Sequence, residues 1–167
     1  MAADPLVGLA VRLQDICLAR GLTVAAAESC TGGLVAAALT AVPGSSGYVR
    51  GAIVAYADEV KIAALDVPGA IIAIHGAVSA EAAIAMADGA RRRLATDLAV
   101  SVTGVAGPGG GTDAKPVGLT YIGVATATGT EARRYLWDGD REENRRASVR
   151  VALEALIAAA SRPESGP

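Results

Sequence analysis

The sequence predicts an α/β fold, a three-layer α/β/α domain with a mixed central sheet. Three observations carry that expectation. Stretches with helical spacing of apolar residues alternate with short apolar runs, in the order α, β, α, β, then helical segments, three strands and a closing helix. Two of the apolar runs end in glycine-rich turns. The composition is 52% hydrophobic but only 3% aromatic, with no Phe. The core is therefore built from Ala, Val, Leu and Ile, whose small side chains let layers approach closely.

The first element is a helix over residues 6–20. Leu6, Leu9, Leu13, Ile16 and Cys17 form its apolar stripe, and Gly21 ends it. Residues 22–27 read as a buried strand. Glu28-Ser29-Cys30-Thr31-Gly32-Gly33 is a tight turn, and residues 34–40 continue as a helix. A loop over 42–47 leads to a strand over 48–56 and a short helix over 58–65. Pro68-Gly69 reads as a break. Ser79 caps a helix from Ala80 to about Leu94, with Glu81 in its first turn. A strand over 98–103 opens into a long loop, Gly104 to Thr112, that holds five glycines. Strands over 117–126 and 131–137 meet at a turn around Thr128-Gly129. Asp140 and Glu143 form a capping-box pattern that starts a last helix reaching about Ala160. One domain over 1–167 is expected, with a frayed tail from 162 to 167.

The bulk properties exclude several function classes. A net charge of -2 argues against non-specific nucleic-acid binding but leaves room for a local basic pocket that takes one phosphate. A single histidine, His75, rules out a His-rich metal site. Cys17 and Cys30 form no disulfide or zinc pattern. No segment reads as a membrane span or a secretory signal. The expected setting is cytoplasmic, with no membrane or nucleic-acid partner and no metal or cofactor.

Five groups of residues could carry chemistry. The turn at Ser29 offers three consecutive candidate nucleophiles, Ser29, Cys30 and Thr31, beside backbone N–H groups of the kind that bind an anion or an oxyanion. A plain N-cap and turn would look the same. Of the 15 lysines and arginines only two are lysine, Lys61 and Lys115. Arginine cannot lose its proton near neutral pH, whereas a desolvated lysine can, so Lys61 is a candidate general base. The alternative is a solvated helix residue beside Asp58 and Glu59. Lys115 reads as a contact that orders the glycine-rich loop or faces a substrate. Tyr56, just before the Lys61 helix, could reach a reacting group or only water. The loop after the strand at 98–103 lies where α/β folds place ligands, but its spacing is neither a P-loop nor a dinucleotide fingerprint. Arg141, Arg145 and Arg146 crowd the start of the last helix, where cations are unfavourable. That placement asks either for an anion or for pairing with Asp140, Glu142 or Glu143. His75 is read as structural, in a loop before the Ser79 cap.

These residues also carry a resemblance. The block Ala27-Glu28-Ser29-Cys30-Thr31-Gly32-Gly33 resembles the CinA C-terminal domain family, whose stand-alone members are nicotinamide-nucleotide amidases. The likeness continues through Pro43-Gly44-Ser45-Ser46, Tyr56 to Lys61, His75-Gly76-Ala77-Val78-Ser79, Thr103-Gly104-Val105-Ala106-Gly107-Pro108, Lys115-Pro116-Val117-Gly118 and Gly139-Asp140-Arg141 with Arg145. It departs at Ala25-Ala26-Ala27, where relatives often carry a Thr. It covers only the part shared with larger CinA proteins, whose additional N-terminal domain looks like a molybdopterin-binding fold.

The resemblance implies metal-free, cofactor-free hydrolysis of nicotinamide mononucleotide to nicotinate mononucleotide and ammonia, in pyridine-nucleotide salvage. It implies Ser29 as nucleophile and Lys61 as its base, with Tyr56 and Thr103 assisting. Expected substrate contacts are Thr31, Gly32, Gly33, Gly104, Gly107, Gly109 and Arg145, with the N–H groups near Gly32 and Gly33 holding the oxyanion. Cys30 stands as the rival nucleophile. The expected partners are the small-molecule nucleotide and further copies of the chain, as a dimer or higher homo-oligomer. A non-catalytic nucleotide-binding or interaction module is the alternative, and an amidase for a related amide is a second.

Overall fold

The structure, a computed structural model, describes residues 4–163. Five strands form one mixed sheet in the order β2-β1-β3-β4-β5. They are β1 (Val24–Glu28), β2 (Val49–Val54), β3 (Leu98–Gly104), β4 (Leu119–Thr126) and β5 (Gly129–Leu136). β1 is parallel to β2 and β3, whereas β4 is antiparallel to β3 and β5. Helices α1 (Pro5–Arg20), α2 (Leu34–Thr40) and α6 (Arg141–Ala160) pack together on one face. Helices α3 (Asp58–Leu65), α4 (Gly69–His75) and α5 (Ala80–Arg93) lie on the other. The expected three-layer α/β/α architecture is present.

The two-residue period of the strands divides the core. Val24 and Ala26 of β1, with Val100 and Val102 of β3, join Leu13, Leu39, Leu153 and Leu156 on the α1/α2/α6 side. Ala25, Ala27 and Ala99 face the other way and join Leu65, Met86, Ala87 and Ala90. On that side the contact surfaces are almost bare of long side chains. Ser101 Oγ donates to the Ala83 carbonyl of α5 at 2.6 Å. A Cβ on Gly123 of β4 would sit 2.5 Å from Ser101 Oγ and 2.6 Å from the Ala83 carbonyl oxygen. A Cβ on Gly89 of α5 would run into the Leu65 carbonyl at the end of α3. The α5 layer therefore lies on the sheet and on α3 at backbone contact distance.

The element ends reflect local chemistry. Asp4 caps α1 and Gly21 closes it with φ 64°. Ser79 accepts from Ala82 N–H at the start of α5. Asp140 and Glu143 make the reciprocal capping box of α6. Five expectations from the sequence are corrected. The stretch after Pro68 is a helix, α4, with Pro68 as its N-cap and His75 as its last residue, so His75 is not in a loop. Its run Ile71-Ile72-Ala73-Ile74 has no polar alternation to reveal it. β2 ends at Val54, two residues before Tyr56. β4 starts at Leu119 rather than 117, because Gly118 at φ 90° turns the chain there. β5 begins at Gly129, directly across from Thr126, so the hairpin turn is Ala127-Thr128. Arg162 is pinned by an ion pair with Glu131 at 2.9 Å. Residues 164–167 of the expected tail lie outside the described residues.

The close seat of α5 makes a stability prediction. In an open helix Gly→Ala gains about 1 kcal/mol of propensity. At Gly89 the added methyl overlaps backbone, and overpacking of this kind costs about 1–3 kcal/mol. Gly89→Ala is therefore expected to unfold at lower urea concentration than wild type, and an equal or raised midpoint would contradict the packing described.

Candidate active site

The C-terminal ends of the three parallel strands β2, β1 and β3 converge where α/β sheets place ligands. At the end of β1, Ala55 N–H donates to the Glu28 carbonyl, and Ser29 N–H donates to the Val102 carbonyl. The turn thus stays clasped between its two neighbouring strands. Beyond it, the Glu28 carboxylate folds over the N-terminus of α2. Fully buried, it accepts from Gly33 and Val35 N–H at 3.0 Å and from Ala36 N–H at 2.8 Å. Those are donors that a helix start leaves open, and the helix dipole favours a negative charge there.

This arrangement corrects the expected oxyanion donors. Gly33 N–H is taken by Glu28, and Gly32 N–H closes the turn onto the Ser29 carbonyl at 3.0 Å. Gly32 and Gly33 serve through their backbone shape, with φ 59° and 108°. The N–H groups of Cys30 and Thr31, just before them, donate to no other residue among the described residues. Thr31 Oγ is fully enclosed and also lacks a partner.

Arg145 reaches the turn from α6. Its Nε donates to the Cys30 carbonyl at 3.1 Å and its Nη2 to the Thr31 carbonyl at 2.9 Å. A Cβ on Gly32 would sit 3.3 Å from that Nη2. The guanidinium fork expected to meet substrate is largely spent on holding the turn.

Lys61 is 1% exposed, on α3. Its Nζ donates to the Tyr56 carbonyl at 3.0 Å and lies 3.6 Å from Asp58 Oδ1. Burial pulls the Lys61 pKa below the ordinary lysine value of 10.5, and Asp58 opposes the shift. The pairing of β1 with β2 puts this amine's anchor and the serine on neighbouring strand ends: Glu28 stands across from Val54, Ser29 follows Glu28, and Tyr56, whose carbonyl holds the amine, lies two residues past Val54. On the other side Glu28 stands across from Val102, which sets Thr103 beside Ser29. Thr103 is buried and its hydroxyl donates to the Ala77 carbonyl at 2.7 Å. Ser29 itself is 9% exposed. Burial pushes the Cys30 thiol up to about 11, and nearby Glu28 adds to the shift against Arg145 and Arg141.

The glycine-rich loop is tied to α6. Asn144 Nδ2 donates to the Ala106 carbonyl at 3.1 Å, and Arg141 Nη1 to the Gly107 carbonyl at 2.8 Å. Lys115 Nζ donates to the His75 carbonyl, which fastens the far end of the loop to α4. Among the expected glycine contacts, Gly104 is needed by packing, since a Cβ there would meet Thr120 Oγ at 2.6 Å. Gly107 has φ 87° and abuts Val117. Only Gly109 faces open space. His75 Nδ1 lies 3.6 Å from Glu81, consistent with a structural role.

The three arginines in the first turns of α6 go three ways. Arg146 pairs with Asp4 at 2.8 Å. Arg145 holds the serine turn. Arg141 holds the loop and, at 3.3 Å, the hydroxyl of the exposed Tyr56. Glu28 and Asn144 are the functional residues that sequence reasoning missed. The signal for Glu28 is an acid placed at a strand end just before a Gly-Gly helix start. Nothing in the sequence marks Asn144.

The pattern that defines the CinA C-terminal domain family matches residues 7–160. A CinA-like protein from Gemmatimonas aurantiaca is 47% identical over 154 residues, 92% of this chain and 36% of its own length. A putative competence-damage inducible protein from Halothermothrix orenii is 54% identical over 139 residues, 82% of this chain and 33% of its own. The chain thus spans about a third of the curated relatives it matches. The crystal structure of the competence/damage inducible protein CihA from Agrobacterium tumefaciens superposes with TM-score 0.91 at 42% identity, covering 95% of this chain and 98% of that one. A CinA superfamily protein from Klebsiella pneumoniae gives 0.90 at 32% identity, covering 95% and 99%. With the match running through nearly every element around the Ser29 turn, the chain belongs to the CinA C-terminal domain family.

Proposed function

We propose that this domain hydrolyses the carboxamide of nicotinamide mononucleotide, giving nicotinate mononucleotide and ammonia, with Ser29 as nucleophile and Lys61 as base. One observation carries the reading. A lysine in an arginine-rich chain is buried, has its pKa pulled down, and is held by the Tyr56 carbonyl just past the end of β2, the strand next to the one that delivers Ser29. The nucleotide substrate follows from the family resemblance.

Neutral Lys61 takes the Ser29 hydroxyl proton as the oxygen bonds to the amide carbon. The oxyanion is received by the unpaired N–H groups of Cys30 and Thr31. Lys61 passes the proton to the leaving nitrogen, and ammonia departs. Lys61 then takes a proton from water as the water oxygen attacks the Ser29 ester. That proton returns to Ser29 as the acid is released. Tyr56 positions Lys61 through its carbonyl. Thr103 lies on the far side of Ser29, within the same strand ends. Cys30 is disfavoured as nucleophile because its thiolate is scarce near neutral pH.

The test is ammonia release from nicotinamide mononucleotide by the purified chain, with EDTA present. Wild type is expected to release ammonia, whereas Ser29→Ala and Lys61→Arg are expected to lose at least about 1,000-fold in kcat/KM. Lys61→Arg keeps the charge and loses the basicity, so near-normal activity there removes the general-base role. No release by folded wild type, with nucleotide bound equally by wild type and Ser29→Ala, replaces the reading with a binding module.

The pH profile tests the same assignment. Activity needs the neutral amine, so it is present above the Lys61 pKa and lost as pH falls through it. Asp58 raises that pKa, so Asp58→Asn is expected to move the acid limb of kcat/KM to lower pH. A limb that stays put or moves up contradicts the assignment.

Iodoacetamide near neutral pH is expected to leave ammonia release unchanged. Inactivation by Cys30 alkylation, with Ser29→Ala still active, transfers the nucleophile role to Cys30.

A further inference from the structure

The reading above leaves the substrate's phosphate without a holder, because Arg145 is committed to the Cys30 and Thr31 carbonyls. We propose that Arg141 recognises the phosphate monoester of the substrate, exchanging its bond to the Tyr56 hydroxyl for phosphate oxygens. This inference rests on the amidase reading and names the group that makes the enzyme select a nucleotide over a nucleoside.

The charge of Arg141 is uncompensated. Its chain neighbours Asp140 and Glu143 are turned into the capping box of α6. The guanidinium makes no ion pair among the described residues, and its two contacts are neutral oxygens, the Gly107 carbonyl and the Tyr56 phenol. A charge-assisted bidentate bond to phosphate is roughly twice as strong as such neutral contacts. Asp140 takes the Glu143 N–H at the helix start, and the guanidinium is the cationic group of the cleft.

The contact to be given up is weak. Arg141 Nη2 meets the Tyr56 hydroxyl at 3.3 Å, and Tyr56 is 60% exposed. The contact to be kept is strong, since Nη1 at 2.8 Å continues to anchor the loop. By contrast, Arg146 is engaged by both oxygens of Asp4. Of the four arginines of α6, Arg150 is paired with Glu154 as well, so Arg141 alone can turn to a ligand without releasing the serine turn or an acid.

The space is present. A cleft of about 560 Å³ is lined by Ala106, Pro108, Val117, Gly139, Asp140, Arg141 and Glu142, with the Asp140 carboxylate turned to the Glu143 N–H, within the size range of small-molecule sites. Arg141 also lines the adjoining cleft with Leu34, Arg145 and Arg146. Gly109, on the open side of the loop, puts no side chain in the way. Tyr56 connects the two ends of the site. Its carbonyl holds the amine of Lys61 and its hydroxyl marks the place of the guanidinium. Glu142 shares both clefts and opposes an anion there, so it tunes the same contact with opposite sign.

The experiment compares kcat/KM for ammonia release from nicotinamide mononucleotide and from nicotinamide riboside, which lacks the phosphate. Arg141→Ala is expected to lose about 100-fold more on the nucleotide than on the riboside, mainly in KM, with loss of the loop anchor common to both substrates. Arg141→Lys recovers part of the loss. Glu142→Gln lowers KM for the nucleotide only. Inorganic phosphate inhibits riboside turnover by wild type and does so more weakly in Arg141→Ala. Parallel losses on both substrates overturn the proposal in favour of loop anchoring, and unchanged nucleotide kinetics overturn it outright. If wild type releases ammonia from neither compound, the amidase reading fails. Calorimetric binding of both compounds to wild type and Arg141→Ala then decides this proposal separately, and equal nucleotide affinities overturn it.

Discussion

The buried carboxylate of Glu28 is the constraint from which the rest of the site follows. A helix that begins immediately after a strand has open N–H donors with nowhere to go, and Glu28 answers three residues of them at once. Because the acid belongs to the strand and the donors to α2, the chain between them must fold back in a compact turn. Gly32 and Gly33 supply the left-handed steps for that reversal. Its outward-facing carbonyls then need donors of their own, and Arg145 meets them from α6. The anion site that a helix start usually offers to a ligand is thus filled from within. What is left for chemistry is the pair of N–H groups one step earlier, beside the serine.

The charges around the site follow a consistent logic. Each cation near the turn is held by neutral oxygens or by a distant, exposed acid. Lys61 has the Tyr56 carbonyl and a longer contact to half-exposed Asp58, Arg145 has two carbonyls, and Arg141 has a carbonyl and a phenol. Carbonyl oxygens fix the direction of a cation without cancelling it. Acids lie close by as well, Glu28 at the helix start, Asp58 beside Lys61, and Asp140 and Glu142 beside Arg141, so the two signs are interleaved around the turn.

Much of this architecture is legible in the amino-acid sequence. The helical stripe of α1, the Ser79 cap, the Asp140–Glu143 box and the strand-turn-helix at Ser29 are short-range patterns, and local chemistry decides them. The scarcity of lysine singles out Lys61, because a choice between two cations of equal charge records what the position requires. α4 stays hidden because a seven-residue apolar helix has no period to display. The role of Arg145 is hidden for a different reason. It is decided by what packs against it in space, 114 residues away in the chain for the Arg145–Thr31 contact, whereas the partners of Glu28 lie within eight residues. The sequence offers Asp140, Glu142 and Glu143 to the arginines, but does not show that one faces inward and another faces the loop.

The α5 layer has a mechanical consequence. Where Gly89, Gly123, Ser101 and a row of alanines meet, the contacts are backbone to backbone. Such side chains have no rotamers to exchange, so this seam absorbs little strain by repacking, although Leu65 and Met86 beside it keep theirs. It is expected to compress and expand little with pressure or temperature, while the leucine-rich half under α1 and α6 takes up the change. The sheet would then behave as a plate clamped on one side and cushioned on the other, with the Ser29 turn emerging from the cushioned side and Lys61 from the clamped one.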